Sequence, residues 1–90
     1  MTNFFDTLTT ILETLDVFYT SSAETKSFYI SVFEDSADVQ EAELLFNFLS
    51  RRCDLGVETC TNYSDFLGYG TKFRFTVDGI TIEWEWESAE

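Results

Sequence analysis

The stretch TKFRFTVDGITIEWEWE, residues 71–87, decides the fold because its residues alternate on either side of a central Asp78-Gly79 pair. An Asp-Gly pair between two alternating segments is a strong sequence signal for a two-residue β-hairpin turn. With this pair at the turn, Val77 lies opposite Ile80. The further cross-strand pairs are then Phe75 with Ile82, Phe73 with Trp84, Arg74 with Glu83, and Lys72 with Glu85. A slip by one residue would disrupt both the apolar and the charged face, so the sequence predicts a single register.

Two segments before the hairpin have the apolar spacing of amphipathic helices. Residues 3–20 predict the first helix, with Thr2 or Asn3 as its N-cap, and residues 36–53 predict the second, with Ser36 as its N-cap. The first helix would bury one face, formed by Phe4, Leu8, Ile11, Leu12, Leu15, Phe18 and Tyr19. The main apolar face of the second helix comprises Val39, Ala42, Leu45, Phe46, Leu49 and Cys53.

The remaining segments complete an α+β pattern. Residues 27–33, SFYISVF, are β-branched or aromatic on both faces and predict a central strand. Residues 57–63 predict a weaker strand, and residues 64–70 a loop with two glycines. The expected order is αβαβββ in one domain over residues 1–90, with both helices on one face of a mostly antiparallel four-stranded sheet. The first strand reaches the next through the second helix, which leaves a parallel arrangement of that pair open.

The charge balance argues against several functions. The 90 residues include 17 acids, 5 bases and no histidine, for a net charge of −12. Such a chain repels nucleic acid and anionic membrane surfaces, and it lacks the commonest general base and metal ligand. No apolar run approaches the roughly 20 residues of a membrane-spanning helix, and the N-terminal residues lack the basic region of a signal peptide. We therefore expect a cytoplasmic protein, folded rather than disordered because 18% of its residues are aromatic.

Catalysis, metal binding and disulfide bonding have weak signals. The chain has no glycine-rich phosphate loop, nucleophile elbow or HExxH motif, so we expect no enzyme activity and no cofactor. The densest acidic cluster, Glu34 to Glu41, lacks the spacing and glycine of an EF-hand; acids there are expected to complement a helix dipole instead of holding a metal. Cys53 and Cys60 are expected to be reduced thiols, with a disulfide between them as the alternative.

The acidic residues are unevenly distributed. Residues 1–50 have nine acids and one base (−8), and residues 51–90 have eight acids and four bases (−4). Arg74 and Lys72 are expected to neutralise Glu83 and Glu85 across the hairpin. The unpaired charge then lies mainly on the first helix and around the start of the second. The predicted partner-binding residues are Asp6, Glu13, Asp16, Glu34, Asp35, Asp38, Glu41 and Glu43. Such a field attracts basic surfaces and speeds association with them.

A small rigid body with spaced carboxylates can occupy a nucleic-acid-binding groove in place of phosphates, and this predicts a DNA mimic. The composition is similar in class to phage-encoded inhibitors of host nucleases, which include anti-restriction proteins, uracil-DNA glycosylase inhibitors and anti-CRISPR proteins. The expected partner is a basic nucleic-acid-binding protein or nuclease complex in the host cell cytoplasm, with this chain acting as a monomer or homodimer.

Two other interpretations of the acidity are open. The chain could be an acidic interaction module that uses an apolar anchor, either Leu44 and Phe48 or the loop at residues 66–69. For Leu44 and Phe48 the competing expectation is packing in the core. Alternatively, low lysine content and many carboxylates fit a domain adapted to high salt, whose charge serves solubility alone.

Overall fold

The computed structural model describes residues 3–54, 59–65 and 68–88, with all their side chains except those of residues 59–65, 68 and 69. The elements are α1 (Phe4–Glu13), β1 (Phe18–Ser22), β2 (Ser27–Phe33), α2 (Val39–Arg51), β3 (Thr59–Asp65), β4 (Gly68–Val77) and β5 (Ile80–Ser88). The five strands form one mixed sheet in the order β1-β2-β5-β4-β3. Strands β2 and β5 are parallel, and the other three pairings are antiparallel.

The β4–β5 hairpin has the register that the alternation predicts. Val77 pairs with Ile80, and the four further cross-strand pairs are all present, so this part of the prediction is confirmed. Asp78 and Gly79 have φ angles of 51° and 78°, the left-handed conformation that a two-residue hairpin turn of type I′ requires. The Asp54 carboxylate accepts hydrogen bonds from the backbone N–H groups of Asp78 and Gly79, at 3.3 and 3.4 Å, and so connects the end of α2 to the turn.

The first helix is shorter than its apolar spacing predicts. Asn3 is its N-cap, as expected, and accepts a 2.8 Å hydrogen bond from the Asp6 N–H group, but the helix ends at Glu13. Phe18 and the two residues after it belong to strand β1, because aromatic and β-branched residues pair well with the neighbouring strand β2. The prediction of four strands in the order αβαβββ is therefore wrong by one strand. The order is αββαβββ.

Three local predictions also differ from the structure. The sheet is mixed, and the parallel partner of β2 is the last strand, not the strand that follows the second helix. Residues 64, 65 and 68–70 of the expected loop belong to strands β3 and β4, while residues 66 and 67 lie outside the described residues. Helix α2 begins at Val39 with Asp38 as its N-cap. Ser36 is not the cap, because it lies three residues before the first helical residue; its hydroxyl accepts a 3.3 Å hydrogen bond from the Asp38 N–H group and donates a 2.8 Å bond to the Asp16 carbonyl.

The core lies on one face of the sheet. Its buried side chains come from both helices and from β2, β4 and β5: Leu8, Leu12, Phe28, Ile30, Val32, Ala42, Leu45, Leu49, Phe75, Val77, Ile80, Ile82 and Trp84. The ring centre of Phe5 in α1 lies 4.6 Å from that of Phe28. The ring centre of Phe46 in α2 lies 5.0 Å from that of Phe73 and 5.3 Å from that of Trp84. The opposite face, here called the polar face, carries the alternate residues of the same strands.

Replacing Gly79 should isolate the conformational requirement of the turn. A Cβ atom at Gly79 would meet no neighbour within 4 Å, so Gly79→Ala should cost only the strain of a positive φ, about 1 kcal/mol of unfolding free energy. Asp78→Asn is the matched control, since asparagine tolerates this conformation and only the exposed ion pair with Arg52 is lost. Urea unfolding measures both; equal losses in the two variants would contradict the turn assignment.

Candidate interaction surface

Strand β5 places a row of three carboxylates, Glu83, Glu85 and Glu87, on the polar face. Alternate residues of a strand recur about every 6.7 Å, so like charges in such a row repel each other unless neighbouring strands compensate them. The need for such compensation is greatest at Glu85, which is only 4% exposed to solvent. A buried carboxylate is tolerated only where hydrogen bonds and an opposite charge reach it.

The neighbouring strands supply this compensation from both sides. The Tyr29 hydroxyl of β2 donates a hydrogen bond to Glu85, and the Ser31 hydroxyl donates one to Glu87. From β4, the Lys72 ammonium nitrogen lies 3.7 Å from Glu85 Oε2, so the expected neutralisation of Glu85 is confirmed. The corresponding expectation for Arg74 and Glu83 is wrong. These residues are opposite each other in the hairpin, but no ion pair joins their described side chains, and both remain exposed.

Tyr29 is fixed as a neutral hydrogen-bond donor. Burial, together with its hydrogen bond to the Glu85 carboxylate, raises the pKa of Tyr29 well above its ordinary value. A shallow pocket of about 190 Å³ lies beside it, with Lys72 and Arg74 among its lining residues. This volume is below the roughly 300 Å³ at which small-ligand sites begin. The arrangement therefore supports the sheet and offers little space for a substrate.

A second group of carboxylates meets at the edge where β2 and β5 both end. The Asp38 carboxylate accepts a 2.6 Å hydrogen bond from the Asp16 N–H group. Beside them, the Glu34 N–H group donates a 2.9 Å hydrogen bond to the Glu87 carbonyl, and Glu34 Oε2 accepts a hydrogen bond from the Ser88 hydroxyl at 2.5 Å. This end of the molecule, here called the acidic end, comprises Asp16, Glu34, Asp35, Asp38 and Glu43.

The topology explains why these acids gather. Parallel strands have their carboxyl ends at the same edge, and α2 begins a few residues after β2 ends. The N-terminus of a helix carries a partial positive charge, which stabilises Asp38 at the N-cap and Glu41 in the first turn. Part of the acidic end is thus explained by stability alone. The dipole does not require Asp16, Glu34 and Asp35, which precede the helix.

The predicted partner-binding residues separate into two groups. Six of the eight lie at the acidic end or on the adjoining first turns of α2: Asp16, Glu34, Asp35, Asp38, Glu41 and Glu43. Glu13 ends α1, three residues before Asp16, and accepts a 3.4 Å hydrogen bond from the Tyr19 hydroxyl. Asp6 lies apart from them, because it lines a pocket with Lys26 and Asp78 at the edge where β2 and β5 begin.

The cations occupy other parts of the surface. Arg52 pairs with Asp78 at 3.7 Å beside the hairpin turn, and Lys26 precedes β2 at the same edge. Two concavities of about 500 and 400 Å³ open at the acidic end, and neither is lined by a lysine or arginine among residues 3–54 and 70–88. The bases thus lie away from the acidic end, whereas acids such as Asp6, Asp54 and Asp78 also occur at the edge of Lys26 and Arg52.

The predicted apolar anchor is exposed. Leu44 and Phe48 on α2 are 70% and 49% exposed, so the competing expectation that they pack in the core is wrong. The Arg52 guanidinium lies 5.3 Å from the centre of the Phe48 ring and covers part of it. The other anchor considered, at residues 66–69, includes residues 66 and 67 and the side chain of Tyr69, which are outside the description.

Two exposed aromatic residues at the acidic end were not expected from the sequence. Phe18 and Phe33 are 60% and 49% exposed, and both line the 500 Å³ concavity, together with Asp16 and Asp35. The apolar spacing of residues 3–20 predicts Phe18 on the buried face of a long first helix. The available signal was the Phe18-Tyr19-Thr20 run, whose high β-propensity competes with the helical spacing. Phe33 lies on the second apolar side of the predicted strand 27–33.

The remaining expectations concern thiols, metals and membranes. Cys53 is a half-buried free thiol that donates a 3.0 Å hydrogen bond to the Ser50 carbonyl, and the side chain of Cys60 lies outside the description. Within residues 3–54 and 70–88, no three potential metal-ligating side chains converge. Neither α1 nor α2 combines the length and apolarity that crossing a membrane demands of a helix.

Comparison with known proteins identified no relative: no protein-family model, curated protein or solved structure matches the chain. A fold of this class is compatible with many activities, so the function is argued from the surface itself.

The hydrogen bond from Tyr29 to Glu85 should contribute measurably to stability. Tyr29→Phe removes a donor from a buried carboxylate and should lower the free energy of unfolding by about 1–3 kcal/mol at pH 7. Tyr19→Phe is the matched control, because its hydroxyl makes only a 3.4 Å contact with exposed Glu13, and should change stability by less than about 0.5 kcal/mol. Urea unfolding of both variants provides the measurement; similar effects would argue against the Tyr29 contact.

The stability contributed by Tyr29 should also be lost at alkaline pH. Because the pKa of Tyr29 is raised in the folded protein, the unfolded chain loses this proton first, near pH 10. The wild-type free energy of unfolding should therefore fall above about pH 10. The difference in unfolding free energy between the wild type and Tyr29→Phe should decrease over the same range. Urea unfolding at pH 8 to 11 measures this difference. A difference that stays constant across the range would contradict the assignment.

Proposed function

We propose that this protein is a DNA-mimic inhibitor of the phage type, which occupies the basic nucleic-acid-binding groove of a host defence protein of the CRISPR or restriction class. It acts by binding, without catalysis, in the cytoplasm of the host cell. Its partner is a nuclease complex or another basic nucleic-acid-binding protein. The alternative function is an acidic protein–protein interaction module with an apolar anchor.

The observation that carries this proposal is the concentration of carboxylates, without lysine or arginine, at one end of the described residues. Within the described residues, five carboxylates gather at the acidic end, and four of them, Asp16, Glu34, Asp35 and Glu43, line concavities without a lysine or arginine. Opposite charge steers a basic partner to such a surface and fixes its orientation. DNA presents negative charge at regular intervals to the same grooves, and a rigid array of carboxylates competes for the cations that contact phosphates.

The proposed architecture makes this array rigid. With both helices on the core face of the sheet, the acidic end is built from two strand ends and a helix start instead of a free loop. The hydrogen bond between Asp16 and Asp38 fixes the connection between α1 and β1 against α2. A prearranged set of charges loses less entropy on binding than a flexible acidic tail, so it competes better with nucleic acid.

A rival site on α2 is favoured by one observation, the exposure of Leu44 and Phe48. An interaction module that used this apolar anchor would bind through desolvation, with a weak dependence on salt. A DNA mimic binds through exposed charges, which salt screens over about 10 Å at 0.1 M. The salt dependence of partner binding therefore distinguishes the two functions.

Neutralising exposed acids near the acidic end should weaken binding to the partner. The triple variant Asp35→Asn/Glu41→Gln/Glu43→Gln changes net charge from −12 to −9 and touches no described hydrogen bond of these side chains. If each lost contact contributes about 0.5–1 kcal/mol, affinity should fall at least ten-fold. The partner is first captured from bacterial lysate, eluted with free duplex DNA and purified; its DNA binding is then titrated with each variant.

A second triple variant provides the control for net charge. Asp6→Asn/Glu24→Gln/Glu83→Gln reaches the same −9 through acids outside the acidic end: Asp6, which the proposed site leaves out because it lies at the opposite edge, Glu24 between β1 and β2, and Glu83 in β5. It should inhibit nearly as well as the wild type. An equal loss of affinity in both variants would show that the effect depends on overall charge and not on the acidic end. If no captured protein loses DNA binding, and the chain folds only in molar salt, the inhibitor proposal is wrong and adaptation to salt explains the acidity.

A further inference from the structure

Two exposed phenylalanine rings form the walls of a concavity at the acidic end, here called the aromatic notch. Phe18 of β1 pairs with Ser31 of β2, and Phe33 follows two residues later on the same face. Both rings therefore lie on the polar face, as diagonal neighbours across an antiparallel pair. The notch has a volume of about 500 Å³, and Asp16 and Asp35 lie on its lining.

The core does not account for these two rings. Phe18 is 60% exposed, and its described ring contact is an edge-on approach to Tyr29 at 6.5 Å. Phe33 is 49% exposed and is paired in register with Glu87. Large aromatic side chains that remain in water beside an acidic rim are typical of anchor positions in protein interfaces.

We infer that the aromatic notch binds an arginine side chain of the partner, in a basic segment, in preference to lysine. The guanidinium group is planar and weakly hydrated, so it stacks on an aromatic face while its N–H groups bind carboxylates. The notch offers both features together, with two rings from Phe18 and Phe33 and two carboxylates from Asp16 and Asp35. A lysine ammonium group can pair with the carboxylates, but it lacks the planar guanidinium with its paired N–H donors.

The chain itself contains a comparable contact. The Arg52 guanidinium lies 5.3 Å from the centre of the exposed Phe48 ring. Phe48 is therefore already in contact with a cation of the same molecule, and Arg51 and Arg52 nearby in the chain repel a basic partner. No lysine or arginine lines the notch within the described residues, so its rings are available to a cation from outside.

This inference rests on the proposed function and specifies how the partner is recognised. Arginine is a principal contact of DNA-binding proteins with phosphates and with guanine. A surface that captures arginine through stacking and carboxylates would take the side chain away from its nucleic-acid ligand. The notch then adds preference for one residue type to the less selective attraction of the acidic end.

The test compares nona-arginine with nona-lysine, two peptides of equal length and charge, by fluorescence anisotropy at one fixed salt concentration. The wild type should bind nona-arginine about five-fold more tightly, since exposed stacking contributes a factor of about two to five per ring. In Phe18→Leu/Phe33→Leu, which keeps apolar side chains but removes the rings, this ratio should fall to about one with nona-lysine binding unchanged. A ratio of one in the wild type overturns the inference.

The control variant removes the other pair of exposed apolar residues. Leu44→Ser/Phe48→Ser should keep the arginine preference, because these side chains lie on α2 and do not line the notch. A preference that survives in the notch variant, or disappears in this control, overturns the inference. All four side chains are substantially exposed, and equal urea midpoints will show that both variants remain folded.

The outcome separates this inference from the proposed function. If neutralising the acidic end abolishes inhibition while the peptide ratio is one in the wild type, the DNA-mimic proposal stands and the notch inference fails. If the ratio depends on the two rings but no nucleic-acid-binding protein is inhibited, the notch binds arginine and the proposed function fails.

Discussion

Glu85 is held between Tyr29 and Lys72, and this contact fixes the three central strands relative to one another. A carboxylate that is 4% exposed needs partners from both neighbouring strands, one parallel and one antiparallel. A shift of either strand by one residue would place an apolar side chain beside the charge. The same shift would turn apolar residues of the strand away from the core. Charge pairing on the polar face of β5 and burial on its apolar face therefore require the same register. Because both requirements point to one arrangement, they favour a single fold.

The parallel pairing of β2 with β5 also determines where the negative charge gathers. It places two strand ends at one edge, and α2 starts from that edge because it follows β2. The connection after α1 reaches the same place, where Asp16 meets Asp38 across 22 residues of sequence. No run of acids in the chain is long enough to produce this surface alone. Its charge density is a product of the topology.

Local signals in the sequence were sufficient for the hairpin and insufficient for the sheet. The Asp78-Gly79 turn and the alternation around it contain the whole register, since each pair lies close in sequence. In residues 14–22, helical spacing of apolar residues competed with β-propensity, and pairing with β2 decided the outcome. Nothing local indicates that β2 pairs with the last strand, because the two strands lie far apart in the sequence and meet through burial in a shared hydrophobic cluster. Similarly, the exposed acids were predictable as a class, whereas their separation from Asp6 depended on which edge each element reaches.

The arrangement of charge bears on whether the acidity serves more than solubility. Adaptation to salt requires only that carboxylates cover the surface, and any distribution would suffice. In the described residues, the carboxylates nearest to a cation are structural, as in the contact of Glu85 with Lys72, while those at the acidic end lack one. The same end also exposes Phe18 and Phe33, which solubility disfavours. Two features that are each costly for a free monomer, concentrated like charge and exposed aromatic rings, coincide at one place. A basic partner that covers this end would relieve both, and this coincidence favours binding over adaptation as the origin of the acidic surface.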